Sequence, residues 1–579
     1  MMKTKNILLL GLLFFLPFIC SGQIVIQDKE KIAVVNESPQ EKVFVHFNSS
    51  FLLAGEYLYY KIYVLDHQTL VPGDLSSVAY VELRGKDGEV IFRHKIALEN
   101  GTGEGDFFIS TNVLSGNYKL FGYTRWMLNG ELNNFFQADV VIVNPYTRNN
   151  EGLLASVDKE GSAGMLKDTL KSTSTIANRP GNSKNLPTYG KRERVALNID
   201  GMQEMDPKGN YSVSVRKLHN IQVPKMVVSE DISGKGKFFK IEPGKRFYLP
   251  ELRGELFSGK LRDAKGNQQT SVENKKVALS IPGQNFIFKI ARTNANGEFF
   301  FNVEKQNLAE EVILQVLNEE KGKFKIVIDP HPELQIADLD FGNFQLTRDM
   351  EDLLVEESIY NQIENGYFSI KPDTVKLPEQ ELPFYGKRIL TYDLDDYTRF
   401  NTLKETFVEI VREITTSGDM LRIRGYNSLV DSRMPPLLIV DGVIIQDHSK
   451  FINFPARRIQ SIGVLRDKYF YGPEVFQGII NVETVEKDFL EKNGKDFFKT
   501  HLMRPQPEKE YFQQKYSEGQ RNERIPDFRR QLLWNPVFDP ESRSIEFYTS
   551  DVEGEFEIVL EGFTSAGKGV TLKEKIEVK

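Results

Sequence analysis

The sequence predicts a mainly β protein, with tandem β-sandwiches, one α+β domain among them and no transmembrane barrel. Three observations carry this. The 579 residues exceed what one hydrophobic core supports, so four or five domains of roughly 80–130 residues are expected. Hydrophobic residues are 40% of the chain and aromatic residues 11%, enough to fill several cores. Short apolar runs rich in β-branched and aromatic residues, punctuated by Gly, Asp and Asn, outnumber long helical stripes.

The N-terminus reads as a secretory signal, residues 1–22. Lys3 and Lys5 charge its start, and Ile7 to Ile19 form an apolar stretch too short to span a bilayer. Ser21 and Gly22 place the expected cut before Gln23. A lipid anchor at Cys20 is not expected, because Ile19 is a poor fit to the small residue favoured before a lipidated cysteine. Cys20 is the only cysteine, so its loss excludes disulfides, thiolate metal sites and cysteine nucleophiles together. No later segment approaches about twenty apolar residues, and the final third lacks the strands of a barrel. The formal net charge of −7 argues against nucleic acid as a partner. An exported chain, soluble or peripheral, is expected.

Residues 23–148 form the first module. Strands are expected at 42–46, 57–64, 78–83, 90–95, 106–109 and 117–123, with glycines in the turns between them, which is the pattern of a sandwich. The strings Glu41-Lys42-Val43-Phe44-Val45-His46, Ala54-Gly55-Glu56, Tyr80-Val81-Glu82-Leu83 and Leu114-Ser115-Gly116-Asn117-Tyr118 resemble the second macroglobulin-type domain (MG2) of the α2-macroglobulin superfamily. Protease-trapping members carry a Cys-Gly-Glu-Gln thioester. This sequence has none, so the resemblance does not imply trapping.

Residues 149–185, rich in Gly, Ser, Thr, Lys and Asn, are expected to be a disordered linker. Thr169 in Asp168-Thr169-Leu170, and Thr374 in Asp373-Thr374-Val375, sit in tripeptides that resemble O-glycan acceptors of exported Bacteroidota proteins. Residues 186–248 read as a second macroglobulin-like β segment, with alternation at 195–199 and 211–215. In residues 249–330, Leu252-Arg253-Gly254-Glu255-Leu256, Gly259-Lys260-Leu261, Val277-Ala278-Leu279 and Asn296-Gly297-Glu298-Phe299 resemble a carboxypeptidase-regulatory-like sandwich, a spacer, and Asn296-Gly297 is expected to make a type I′ hairpin turn. Residues 331–381 are a helical connector, with a helix at 346–364 opened by Asp349, Glu351 and Asp352 and closed at Asn365-Gly366.

Residues 382–490 are denser in motifs. A helix is expected at 401–414. Leu421-Arg422-Ile423-Arg424-Gly425, Pro436-Leu437-Leu438-Ile439-Val440-Asp441-Gly442-Val443, the 459–467 string, Tyr471-Gly472 and Gly478-Ile479-Ile480-Asn481-Val482 follow in order. Together they resemble the plug domain of TonB-dependent outer-membrane receptors, particularly SusC-like transporters. Independently of that, 437–440 suits a strand buried on both faces, Asp441-Gly442 a tight turn, and Gly478 a close backbone approach. Arg422 and Arg424, two apart, share a face if the run is a strand. The candidate site, structural or partner-binding, is therefore Arg422, Arg424, Gly425, Asp441, Gly442, Gly472 and Gly478. A plug sits in a barrel of about twenty-two strands, and the chain ends too soon after Val485 to form one. The resemblance then implies a recognition module. Residues 491–524 read as a linker; in 525–579, Pro526-Asp527-Phe528-Arg529, Leu533-Trp534-Asn535-Pro536 and Phe556-Glu557-Ile558-Val559-Leu560-Glu561-Gly562 resemble the C-terminal β-domain that accompanies macroglobulin-plug proteins, with a type IX secretion tail as the alternative.

Seven histidines lack the spacing of a His-Glu-x-x-His site, and no phosphate loop or nucleophile elbow is present. Gly101-x-Gly103-x-Gly105 reads as a turn cluster. Asp393, Asp395 and Asp396 could bind Ca²⁺ or form a solvated loop, the second being favoured. No catalytic residue, cofactor or metal is assigned. The expected function is non-enzymatic: an outer-membrane-associated binding or scaffold protein, on the periplasmic face or the cell surface, peripheral through its partner. That partner would be a SusC-like transporter or an assembly complex. Alternatives are a thioester-less macroglobulin relative that meets proteases, or an unrecognised glycan-acting enzyme.

Overall fold

The computed structural model describes residues 23–147, 153, 186–199, 201–234, 238–267, 270–283, 285–304, 309–320, 322–425, 434–494, 497–517, 524–542 and 544–579. The expected signal with Cys20, the linker other than Leu153, and Thr169 lie outside them. The chain is mainly β, built of tandem β-sandwiches, and its largest sheets among the described residues have five strands. Among those residues no helix is long and apolar enough to cross a membrane.

The alternation read in the first module produces a sandwich. Glu41–Phe47, Tyr57–Asp66 and Thr102–Phe108 form one sheet. Phe51–Leu53, Phe136–Val143, Gly116–Tyr123, Val78–Gly85 and Val90–Ala97, in that spatial order, form the other. Val43, Val45, Tyr60, Leu83, Leu120 and Val140 meet between the sheets, all fully buried. The glycine triplet differs from expectation. Gly101 occupies a turn, but Gly103 and Gly105 lie inside the strand Thr102–Phe108, Gly105 against the Tyr60 ring.

The two terminal β segments do not stand as separate modules. Asn210–Lys217 lies between Gly554–Phe563 and Gln531–Phe538 in one sheet, which Gly569–Val578 and Thr188–Tyr189 extend. Arg194–Leu197 pairs with Ile545–Tyr548. The expected division into 186–248 and 525–579 is corrected to one composite sandwich closed on Val213, Val215, Leu533, Phe547 and Ile558. Each segment alone offers an apolar face with nothing to cover it. The rest of the 186–248 stretch goes elsewhere, since Arg246–Tyr248 pairs with Gln23–Val25.

A central sandwich packs Glu298–Val303, Glu255–Asp263 and Phe324–Ile328 against Ile287–Arg292, Lys276–Ile281, Glu311–Val316 and Phe498–His501. Its last strand comes from the stretch expected to be a linker, 491–524, in which Lys509–Glu510 also pairs with Thr374–Val375. Asn296-Gly297 makes a tight turn, but only Gly297 has a positive φ, and the strands on either side belong to different sheets. The turn therefore crosses between sheets and is not a type I′ hairpin.

The long helix, Glu351–Gly366, starts later than expected because a 3-10 turn, Arg348–Met350, precedes it. Its Glu357 enters a buried charge network. Arg530 Nη2 lies 2.7 Å from Glu357 Oε1, and Arg216 Nη2 lies 2.8 Å from Glu56 Oε1. Arg530 Nη1 reaches that same Glu56 oxygen at 3.5 Å, and His219 Nδ1 lies 3.0 Å from Arg530 Nη2. Burial alone would raise the Glu56 carboxyl, but Arg216, Arg530 and the Leu53 N–H outweigh it and hold it below the usual range. Glu56 belongs to the N-terminal sandwich, Arg216 and Arg530 to the composite sandwich, and Glu357 to the helix. Removing one member strands a charge where water cannot reach it. Arg530→Leu is expected to cost about 3–5 kcal/mol. Arg194→Leu, whose pair with Glu546 is exposed at both ends, should leave stability essentially unchanged. Thermal and urea unfolding of the two variants checks this, and equal losses would contradict it.

Candidate functional site

The 382–490 segment folds around a five-stranded sheet. Leu437–Val440 pairs in parallel with Ile479–Thr484 and antiparallel with Val443–Ile444. Ile459–Leu465 and Leu390–Asp393 complete it. Leu438, Val440, Ile462, Val464 and Ile480 pack with Leu403 and Phe407 of a short helix. Leu437, Ile439, Leu465 and Ile479 pack on Ala278 and Phe288 of the central sandwich. Strand 437–440 is thus covered on both faces, as its unbroken apolar run requires. The helix spans only Leu403–Glu409, shorter than the expected 401–414. Thr402 and Glu405 form its capping box, and Ile414 already begins a strand.

The candidate residues hold backbone. Asp441 and Gly442 both have positive φ, 48° and 81°, which makes the turn into Val443–Ile444 tight. Asp441 Oδ1 accepts the Thr484 N–H at 2.8 Å, and Oδ2 accepts the Thr484 hydroxyl at 2.6 Å and the Phe489 N–H at 3.2 Å. One carboxylate thereby ties the turn to the end of the parallel neighbour. A Cβ on Gly442 would come 2.7 Å from Phe286 Cβ, so the absent side chain lets the turn seat against the central sandwich. Gly472, in the hairpin between Tyr469–Tyr471 and Glu474–Phe476, lies against the Ile290 carbonyl of that sandwich. At Gly478 a Cβ would fall 2.2 Å from the Leu465 carbonyl oxygen.

Arg422 lies in strand Met420–Ile423 and donates from Nη1 to the Met434 carbonyl at 3.1 Å. Arg424 lies just past that strand, and its N–H donates to the Glu413 carbonyl at 2.8 Å. Arg466 closes this corner, its Nε donating to the Arg424 carbonyl and its Nη2 to that of Gly425. Arg466 and His448 were not singled out from the sequence. His448 is buried, and its Nδ1 accepts the Leu421 N–H at 3.2 Å. Burial, reinforced by Arg422 nearby, pushes its pKa down to about 4. The acidic loop behaves as local structure, with Asp393 accepting the Asp395 N–H and Asp395 pairing with Arg399. Among the described residues no group of three His, Cys, Asp or Glu side chains is placed to hold a metal ion.

Thr374, the described O-glycan candidate, is exposed. It sits in a strand, and the neighbouring Asp373 accepts the Phe512 N–H. Where the central sandwich meets the sheet unit lies a cavity of about 780 Å³ walled by Phe324, Ile326, Ile445 and Phe498. Charged and polar side chains, among them Glu319, Lys325, Asp447 and Lys450, line it beside them.

No protein-family model and no curated protein matches the sequence. Among solved structures, the chain is similar to Escherichia coli alpha-2-macroglobulin activated by porcine elastase, at 10% identity and a TM-score of 0.22, over 93% of this chain and 44% of that one. It is also similar to Salmonella alpha-2-macroglobulin reacted with methylamine, at 9% identity and a TM-score of 0.22, over 96% and 40%. A stretch covering 18% of the chain is similar to 16% of a beta-glucosidase from Listeria innocua, at 14% identity and a TM-score of 0.12. The chain spans less than half the length of the macroglobulins it matches.

Two outcomes are expected at this site. Gly478→Ala should lower stability by about 1–3 kcal/mol, because the backbone at φ 80° resists a side chain and the carbonyl beside it cannot yield. His448 is neutral when folded. The unfolded chain takes up a proton near pH 6.5 that the folded chain refuses until about pH 4. The stability this group contributes is full above pH 6.5 and falls through that window, by on the order of 3 kcal/mol. His448→Asn should flatten that part of the pH–stability curve relative to the parent chain, and parallel curves would rule the assignment out.

Proposed function

We propose that this chain is a non-enzymatic binding or scaffold protein of the cell envelope. It is exported and acts at the outer membrane beside a protein partner, as an accessory subunit of a SusC-like TonB-dependent transporter or of an assembly complex. The observation that carries this reading is how the plug-like segment is mounted. Asp441, Gly442, Gly472, Arg422 and Gly478 are occupied in holding its backbone or seating it on the central sandwich, an arrangement suited to presenting a surface and not to moving protons or electrons. On the hairpin, Tyr469 and Tyr471 pack inward, the Tyr469 hydroxyl on the Phe384 carbonyl and the Tyr471 ring stacked on Phe288. Phe470 between them points out, 71% exposed. An aromatic anchor on a rigid mount is the kind of residue that dominates binding energy at an interface.

The test is affinity recovery from solubilised envelopes with the full chain as bait, together with protease shaving of intact cells. An outer-membrane protein should be recovered, and Phe470→Asp should reduce its yield at least tenfold while leaving thermal unfolding unchanged. Recovery of the bait alone, or unaltered recovery with Phe470→Asp, would count against the reading.

A further inference from the structure

Strand Tyr57–Asp66 carries a lysine into the contact between the N-terminal and composite sandwiches. Tyr60 points into the N-terminal core, whereas Tyr59 stacks on Trp534 and the Tyr63 hydroxyl meets Ser212. Lys61 shares the face of Tyr59 and Tyr63, which turns toward the composite sandwich. It is 1% exposed. Its Nζ donates to the side-chain Oδ1 of Asn210, to the Pro536 carbonyl at 2.6 Å and to the Tyr211 carbonyl at 3.2 Å. All three acceptors are neutral amide oxygens, a costly setting for a buried ammonium. Burial accordingly pushes the Lys61 amine down to about 7, against the pull of Glu104.

Glu104 stands directly across from Lys61 in the neighbouring strand, so the two side chains share a face. Burial pushes its carboxyl up to about 7, with Lys61 drawing it down and Glu508 pushing it further up. Thr102, two residues before Glu104, lies on that same face, and its Oγ1 accepts the Asn210 Nδ2–H at 3.2 Å. The Asn210 carboxamide is therefore held at both ends, its oxygen on the amine and its nitrogen over the strand that carries Glu104. A cavity of about 670 Å³ reaches Lys61, Thr102 and Glu104, giving a small product room to leave. A desolvated amine is the form of lysine that attacks a carbonyl carbon. Holding it against a carboxamide removes the entropy of encounter. A carboxyl that keeps its proton near neutrality is suited to passing protons.

We propose that Lys61 and Asn210 join in an intramolecular amide bond that clamps the N-terminal sandwich to the composite sandwich, with Glu104 as the proton carrier. The Nζ–Cγ bond forms and the Cγ–Nδ2 bond breaks. Nζ gives up one proton, Nδ2 takes one and leaves as ammonia, and Glu104, acting directly or through one water, ends as it began. No oxidant or other co-reactant is required. Tryptic digestion of the full chain followed by mass spectrometry tests this. The bond blocks cleavage after Lys61, so residues 43–84 should appear joined to residues 209–216, lighter than their sum by one ammonia. Glu104→Gln should lower the joined species at least tenfold, and Lys61→Arg should abolish it. Recovery of 43–61 and 209–216 as separate peptides from the unaltered chain overturns the proposal, the contact then being a hydrogen bond only. An undiminished joined species in Glu104→Gln overturns the role given to Glu104. Because the digestion of the unaltered chain needs no variant, it decides the matter even if a variant does not fold. Its outcome is also independent of whether an envelope partner is recovered.

Discussion

Four charges shut away from water set the arrangement of this molecule. Glu56, Arg216, Arg530 and Glu357 come from three different elements, and none can leave its partners without exposing a bare charge to a poor solvent for it. Hydrophobic contacts between the same elements would tolerate sliding. Paired guanidinium and carboxylate groups fix position and angle together, because a planar fork accepts few geometries. The relative placement of the N-terminal sandwich, the composite sandwich and the long helix follows from that. A cost comes with it, since packing two arginines by their Nη groups leaves both Nε groups buried with no hydrogen-bond partner among the described residues.

The unit formed by residues 382–490 is fixed by a different force. One face of its sheet is filled by its own helix and loops, and the other is filled by Ala278 and Phe288 of the neighbouring sandwich. A sheet covered twice has its strand 437–440 fully committed inside the chain. The rim, the hairpin and the turns are what remains of its surface. The glycines at the turns matter for that reason, since at Gly442 the absence of a side chain is what lets two domains touch.

Much of this was legible in the sequence where the signal is local. Six strands of the first module, the buried run at 437–440, the Asp441-Gly442 turn and the close approach at Gly478 all show in short windows, through alternation, turn chemistry or a missing Cβ. Pairing between distant segments has no such signature. Asn210–Lys217 reads as a half-buried strand, but nothing in it says that its partners begin at Gln531. The same holds for Phe498–His501, which looks like linker because its exposed alternation is weak. At the site, the arginine pair was visible as a pattern, but its use was not. Arg424 lies beyond the strand, and the group that binds its carbonyl, Arg466, is forty-two residues away. His448 carries no local mark at all, being one of seven scattered histidines.

The sheets also show that the units are nested. The composite sandwich is left at Lys217 and rejoined at Gln531, the central sandwich is left at Ile328 and rejoined at Phe498, and the five-stranded sheet of residues 390–484 lies within both gaps. In a chain that emerges N-terminus first, the residues of the innermost unit are therefore all available before either enclosing one can close. Until then Asn210–Lys217 waits as an unpaired strand with its apolar face uncovered, open to mispairing with other chains. Gly569–Val578 joins that sheet beside Gly554–Phe563, so the outermost sheet can close only after the segments nested within it have been made.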